Sequence, residues 1–296
     1  MSHLVGVGLA LLATLALATQ SLGIRLVTAE TGLRDVLTVV FTVNVAVLVP
    51  LGIADVALSG GGLSTTAIAA FAVAGVLGSL LGRVCYFLGI AKLGASRAES
   101  LKSLLPLVAL AGAVLVLGEQ LTWPLIAGIS LLITGVLVVV SDTRQSAVTT
   151  TGRQLWRDVS FPLAAALLYG IDPVLSKIGL AAGGSPISGV AVRAVAAGSV
   201  FGLYLAWVAS RGERVRPANL DRWLIGVAVA NTIYLAAFYA ALSLAPVAVV
   251  APIVGASPLF VVAGGALFLQ NQERVTPRLV AGALIVVVGV VTVAIV

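Results

Sequence analysis

Arg83, Asp172, Arg193 and Asn231 are the residues from which chemistry would be expected, because each interrupts a long apolar run. A charge placed mid-helix in hydrocarbon costs about 2.5–3.5 kcal/mol on insertion scales, so each needs a partner or a task. Asp172 falls past the middle of one run and Arg193 early in the next. Consecutive runs cross antiparallel, which brings the two to one level and predicts an ion pair. Such a pair either compensates itself and nothing more, or takes part in binding.

Two polar faces accompany these charges. Ser79, Arg83 and Tyr86 follow i, i+4, i+7, while Asn231, Tyr234 and Phe238 follow i, i+3, i+7, so each set shares one helical face. With Gln20, Asp172 and Arg193 they are read as the walls of a substrate cavity. The alternative is interhelical hydrogen bonding that only holds a bundle together. Pro106 and Pro258 are placed inside helices, where each frees the carbonyl four residues back, at Lys102 and Val254. They are read as hinges or as static kinks. Lys177, nearer a helix end, is expected to snorkel, and Glu119 and Glu273 are read as solvated or capping groups in turns.

Other chemistry has little to work with. The sequence has one cysteine, Cys85, and one histidine, His3, which excludes an internal disulfide and any CxxC metal or redox site. It has no HExxH, no Ser/His pairing and no Walker lysine, so neither a metal, a cofactor nor ATP is expected, and an enzyme is not the reading. The formal charge of +6 does not indicate nucleic acid, because the basic residues sit between apolar runs without interleaved aromatics.

The elements that carry these residues follow from composition. Hydrophobic residues make up 60% of the chain and charged ones 9%, against roughly 25% charged in a soluble domain. Mean hydropathy is +1.17. No soluble core absorbs so much apolar surface, whereas a helix of about 20 apolar residues spans the ~30 Å hydrocarbon layer. Spans are predicted near 4–24, 36–55, 67–91, 97–117, 123–141, 160–180, 187–209, 222–244, 247–269 and 278–296. The opening twenty residues look like a secretory apolar stretch but lack a basic start and align with a later span, so they are kept as the first helix.

The longest polar stretch, 142–159, lies near the midpoint and is read as a linker between residues 1–141 and 160–296. These two units are repeats. Glu119, Thr122, Ala127, Gly128 and Gly135 recur 154 positions on, as Glu273, Thr276, Ala281, Gly282 and Gly289. Upstream the offset is 152, matching Pro106 to Pro258, Tyr86 to Phe238, Ser79 to Asn231, Gln20 to Asp172 and Arg25 to Lys177. Five helices per unit force the second to enter the membrane from the opposite side. The predicted fold class is therefore an all-α integral membrane protein of about ten transmembrane helices in two inverted-topology five-helix repeats.

Residues 97–140 and 247–291 both carry a proline, then a glutamate-containing turn, then a glycine-bearing final helix. In this the chain resembles the drug/metabolite transporter superfamily, specifically its ten-helix proteins with two EamA repeats. The family's Gly-Glu turn is intact at Gly118–Glu119 and reads Gln272–Glu273 in the second half. Its arginine early in the second helix of a repeat appears at Arg193, where the first half has Phe41 and Thr42. The resemblance implies a secondary transporter, exporter or exchanger, moving metabolites, amino acids or drug-like compounds by alternating access through a central cavity in the cell membrane. The implied partners are a small-molecule substrate, the lipid bilayer and a coupling ion, with the chain acting as monomer or homodimer. Readings from other classes are a membrane-embedded enzyme acting on lipid and a non-transporting scaffold.

Charge also predicts orientation. The loops after spans 1, 3, 5, 7 and 9 collect fourteen basic residues, and the opposite side only Lys177. Short basic loops stay in the cytoplasm, which puts both termini outside, opposite to the arrangement the resemblance implies. A C-terminal alkaline phosphatase fusion after Val296 in bacterial cells is expected to be active and a green fluorescent protein fusion dark. A fluorescent fusion with inactive phosphatase would overturn the charge argument.

Overall fold

The computed structural model describes all residues except 1, 28–30, 60–61, 103, 119–122, 147–151, 214, 216–220, 269–275 and 295–296. Glu119 and Glu273 therefore lie outside the described residues. The five apolar runs of the first half become α1 (Ser2–Val27), α2 (Leu33–Ser59), a third span in three pieces, a fourth in two, and α7 (Trp123–Ser146). The third span is α3 (Thr65–Ala74), a π-helical segment (Gly75–Gly82) and α4 (Arg83–Leu93); the fourth is α5 (Ala95–Lys102) and α6 (Leu105–Leu117). The second half gives α8 (Gly152–Ala181), α9 (Pro186–Ser210), α10 (Arg222–Leu244), a ninth span split into α11 (Val247–Gly255) and α12 (Ser257–Phe268), and α13 (Pro277–Ala294). The stretch read as a linker is helical at 142–146 and from 152 onward.

Local chemistry sets these boundaries. Ser64 accepts the Ala67 N–H at 3.1 Å to start α3. Ser185 and Ser188 cap each other's backbone ahead of α9, with Pro186 in the first turn, where its missing N–H is not needed. Gly94, at φ 86°, ends α4 and lets α5 begin at once. Among the described residues seven helical spans are long and apolar enough to cross a membrane, and the shorter apolar helices Leu105–Leu117 and Pro277–Gly289 complete broken or trimmed ones. Leu115 is 84% exposed and Leu203 72%, an exterior that only lipid solvates favourably.

The two prolines behave differently from a kink inside a continuous helix. Pro106 lies in the first turn of α6, after the turn at Leu104, and Pro258 is the second residue of α12, after the break at Ala256. The helix stops before each proline and restarts on it, because proline is tolerated in a first turn and not in an interior. The breaks also meet in space. A Cβ added at Gly255, the last residue of α11, would lie 2.7 Å from the Pro106 ring.

Packing follows a pseudo-twofold pattern. α1 lies along α10 as α8 lies along the third span, α2 pairs with α9, and α7 pairs with α13. The last pair meets backbone to backbone: a Cβ at Gly135 would sit 2.7 Å from the Gly282 carbonyl and 2.8 Å from the Val286 nitrogen. The glycines repeated on the final helix of each half thus let two backbones touch.

Candidate functional site

Polar side chains that the membrane should exclude are gathered where the halves face each other. Arg193, on α9, reaches back to α8 and grips Asp172 with a two-pronged fork: Nη1 donates to Oδ1 at 2.6 Å and Nη2 to Oδ2. Its Nε donates to the Ser79 hydroxyl on the π segment, and Nη1 also donates to the Tyr239 hydroxyl at 2.9 Å. Ser176 donates within reach of Asp172 Oδ1 at 3.0 Å and of Tyr239 at 2.9 Å. Residue type decides whether this fits. A Cβ at Gly78 would meet Asp172 Oδ2 at 2.5 Å and Arg193 Nη2 at 2.7 Å, so the fork needs glycine in the π segment.

A second, neutral network occupies the symmetry-related place between α1, α2 and α10. Asn231 Nδ2 donates to Gln20 Oε1 at 2.7 Å, Asn44 Nδ2 donates to Asn231 Oδ1 at 2.8 Å, and Thr232 donates to Asn44 Oδ1 at 2.8 Å. Gln20 and Asn231, at the positions equivalent to Asp172 and Ser79, bond each other directly and without charge, where Asp172 and Ser79 are joined through Arg193.

A third cluster is built on Glu99, on α5. Lys102 Nζ donates to its Oε1 at 2.6 Å, Ser21 donates to Oε2 at 3.0 Å, and the Tyr86 and Ser257 hydroxyls donate to its two oxygens. The Lys102 ammonium lies 4.3 Å from the centre of the Tyr86 ring. The cluster joins α1, α4, α5 and the start of α12 next to both helix breaks.

The residues singled out by sequence are all buried: Gln20, Ser79, Arg83, Tyr86, Asp172, Arg193, Asn231 and Tyr234. They do not share one wall. Ser79 serves Arg193, Arg83 lies over the Phe41 ring at 5.2 Å, and Tyr86 turns to Glu99, because the wider π turn breaks the regular face. Tyr234 stacks on Phe238 with centroids 5.7 Å apart. Lys177 does not snorkel; it donates to the Leu242 and Ala245 carbonyls at 2.8 and 3.2 Å, closing the end of α10.

Glu99, Lys102, Tyr239 and Asn44 escaped the sequence reading. Glu99 and Lys102 sit three apart in RAESLKS, which looks like a loop, and the one available signal was an acid–base pair at helical spacing. Burial of Lys102 also removes it from the loop tally, leaving thirteen of those fourteen basic residues. Outside the polar layer, an apolar cleft of about 660 Å³ bordered by Ile53, Ile68 and Val195 opens between α2, α3 and α9, with Ser188 the one polar residue in its lining among the described residues.

Inverted repeats, discontinuous helices and a polar layer at their interface define an all-α membrane protein with the architecture of secondary transporters. The profile of the EamA-like transporter family matches residues 4–141 and 157–295, so the chain belongs to that family, within the drug/metabolite transporter superfamily. A solved crystal structure is similar over 99% of this chain and 97% of that one, with 20% identity and a TM-score of 0.65, a likeness of fold. No curated protein matches.

The buried fork yields a stability prediction. Removing one member strands the other as an unpaired charge, at a cost of about 3–5 kcal/mol, whereas removing both does not. Asp172→Asn and Arg193→Gln should each lower the thermal unfolding midpoint of the purified protein far more than the double variant does. Singles as stable as the wild type would contradict the pairing.

Proposed function

We propose that this chain is a secondary transporter, an exporter or exchanger of small metabolites, amino acids or drug-like compounds, resident in the cell membrane. Gln20, Ser79, Arg83, Tyr86, Asp172, Arg193, Asn231 and Tyr234 border the path, and the breaks at Pro106 and Pro258 are the hinges. The observation that carries this reading is the layer of buried polar side chains at the interface of the two repeats, beside the point where the breaks touch. A bundle that only needed cohesion would be served by small residues and short hydroxyl bonds, as in the α7–α13 pair. Three ionic or amide networks where rigid units meet instead suit a path whose walls exchange partners as one repeat rocks against the other.

Energy comes from a gradient of substrate, proton or sodium, since the chain has no Walker motif. The partners are the small-molecule substrate, the coupling ion and the bilayer, and the unit is a monomer or homodimer.

Counterflow in proteoliposomes with amino acids, nucleosides and cationic drugs identifies the solute. Cysteine placed at Ser79 or at Asn231, in a Cys85→Ser background, is then expected to react with a small hydrophilic thiol reagent and to be protected by that solute. Inert cysteines at both positions, with loop cysteines reacting, would remove these residues from the path.

A further inference from the structure

Five charged side chains are fully buried among the described residues: Arg83, Glu99, Lys102, Asp172 and Arg193. Both carboxylates are engaged, Asp172 by Arg193 and Glu99 by Lys102. Among the described residues Arg83 is the buried cation left over, so their buried charges sum to one net positive charge. The Arg83 side chain lies over Phe41, yet Nε and Nη1 have no hydrogen-bond partner among the described residues, although the residue is only 2% exposed. A buried guanidinium with idle donors is costly unless something that is present only part of the time completes it.

The repeat makes the imbalance specific. In the second half Asp172 and Arg193 cancel; the equivalent first-half positions, 152 residues earlier, are Gln20 and Phe41, which are neutral. Arg83 itself maps 152 residues on to Leu235. The extra charge is therefore not inherited from the duplicated scaffold. It sits over Phe41, the position that an arginine holds in the other half, next to Gly82, against which the Tyr169 ring packs.

We propose that Arg83 binds an oxyanion, the carboxylate or phosphate of the transported solute, with its idle Nε and Nη1 donors. This rests on the transporter reading and adds the substrate class: the solute carries a negative charge that balances the layer. Arginine suits the task because its planar donors match carboxylate and phosphate and its charge is permanent. Phe41 and the nearby Tyr169 offer aromatic surface and a hydroxyl on the side of the charge. Because Arg83 is closed off in this conformation, the solute reaches it only when the repeats part.

The test compares matched pairs on the full-length protein: lactate with lactamide, benzoate with benzamide, and N-acetylleucine with its amide, alongside inorganic phosphate. Thermal stabilisation in detergent reads binding, and uptake into phosphatidylcholine vesicles, with and without phosphatidylglycerol, reads transport. At least one carboxylate, or phosphate, should stabilise the protein saturably where the neutral partner does not. Its apparent affinity should fall at least tenfold in Arg83→Gln and recover in part in Arg83→Lys. Stabilisation by phosphate alone would keep the oxyanion site and name phosphate as the group bound; stabilisation in detergent by added phosphatidylglycerol and by no soluble anion would make the occupant a lipid headgroup and overturn the assignment to the solute.

Amides that bind as well as carboxylates overturn the proposal, as does anion binding that Arg83→Gln leaves unchanged. No stabilisation by any anion overturns it too. If Arg83→Gln fails to fold, the wild-type pairs and Arg83→Lys decide. Anion binding without uptake of any compound leaves the site and defeats the transporter reading; uptake of neutral or cationic compounds alone does the reverse.

Discussion

A charge cannot stand alone in hydrocarbon, and the Asp172–Arg193 fork is where this constraint shapes the most structure. Both ions are out of water, so their attraction must offset two desolvation costs, and it does so only with good geometry and with the remaining donors and acceptors filled. Arg193 spends its donors on Asp172, Ser79 and Tyr239, and Ser176 completes the carboxylate side. To admit that arrangement the third span gives up regular helix for a π segment and uses glycine at position 78. One ion pair thus accounts for an irregular backbone, a required glycine and the contact between α9 and the π segment.

The repeats supply the frame and depart from it where chemistry is needed. Gln20 with Asn231 copies the placement of Asp172 with Ser79 in neutral form, so the same packing serves twice with different charge. Glu99 and Lys102 have no counterparts, since the positions 152 residues on are Ala251 and Val254. Their cluster gathers around the two helix breaks, where Ser257 at the start of α12 reaches Glu99. A move at the breaks is thereby coupled to a buried acid with four donors. Symmetric elements give rigid units, and asymmetric polar groups give the interface something to exchange.

Much of this is legible in sequence because hydrocarbon is an unforgiving solvent. Ten apolar runs, the duplication and the antiparallel logic that pairs Asp172 with Arg193 need only length, spacing and the cost of a lone charge. What stayed hidden depends on where a helix is interrupted. Pro106 and Pro258 look alike whether a helix bends or restarts, and only neighbouring contacts choose between them. The π segment has no residue signature beyond its glycines, yet it sends Ser79, Arg83 and Tyr86 to three different partners instead of one wall. RAESLKS looks like a loop because its charges are counted as exposed, yet Glu99 and Lys102 find each other within one helical turn and are buried as a pair.

Charge compensation could hold the bundle together and do nothing else, or it could be part of the moving machinery. Transport by the doubly neutral protein separates the two. Asp172→Asn combined with Arg193→Gln removes both ions, so folding is spared, and counterflow of the solute carried by the wild type reads function alone. A functional pair predicts that this variant reaches the membrane in normal amount and exchanges solute at no more than a tenth of the wild-type rate. Exchange restored to the wild-type rate would contradict a role in transport and leave the fork as a structural bond.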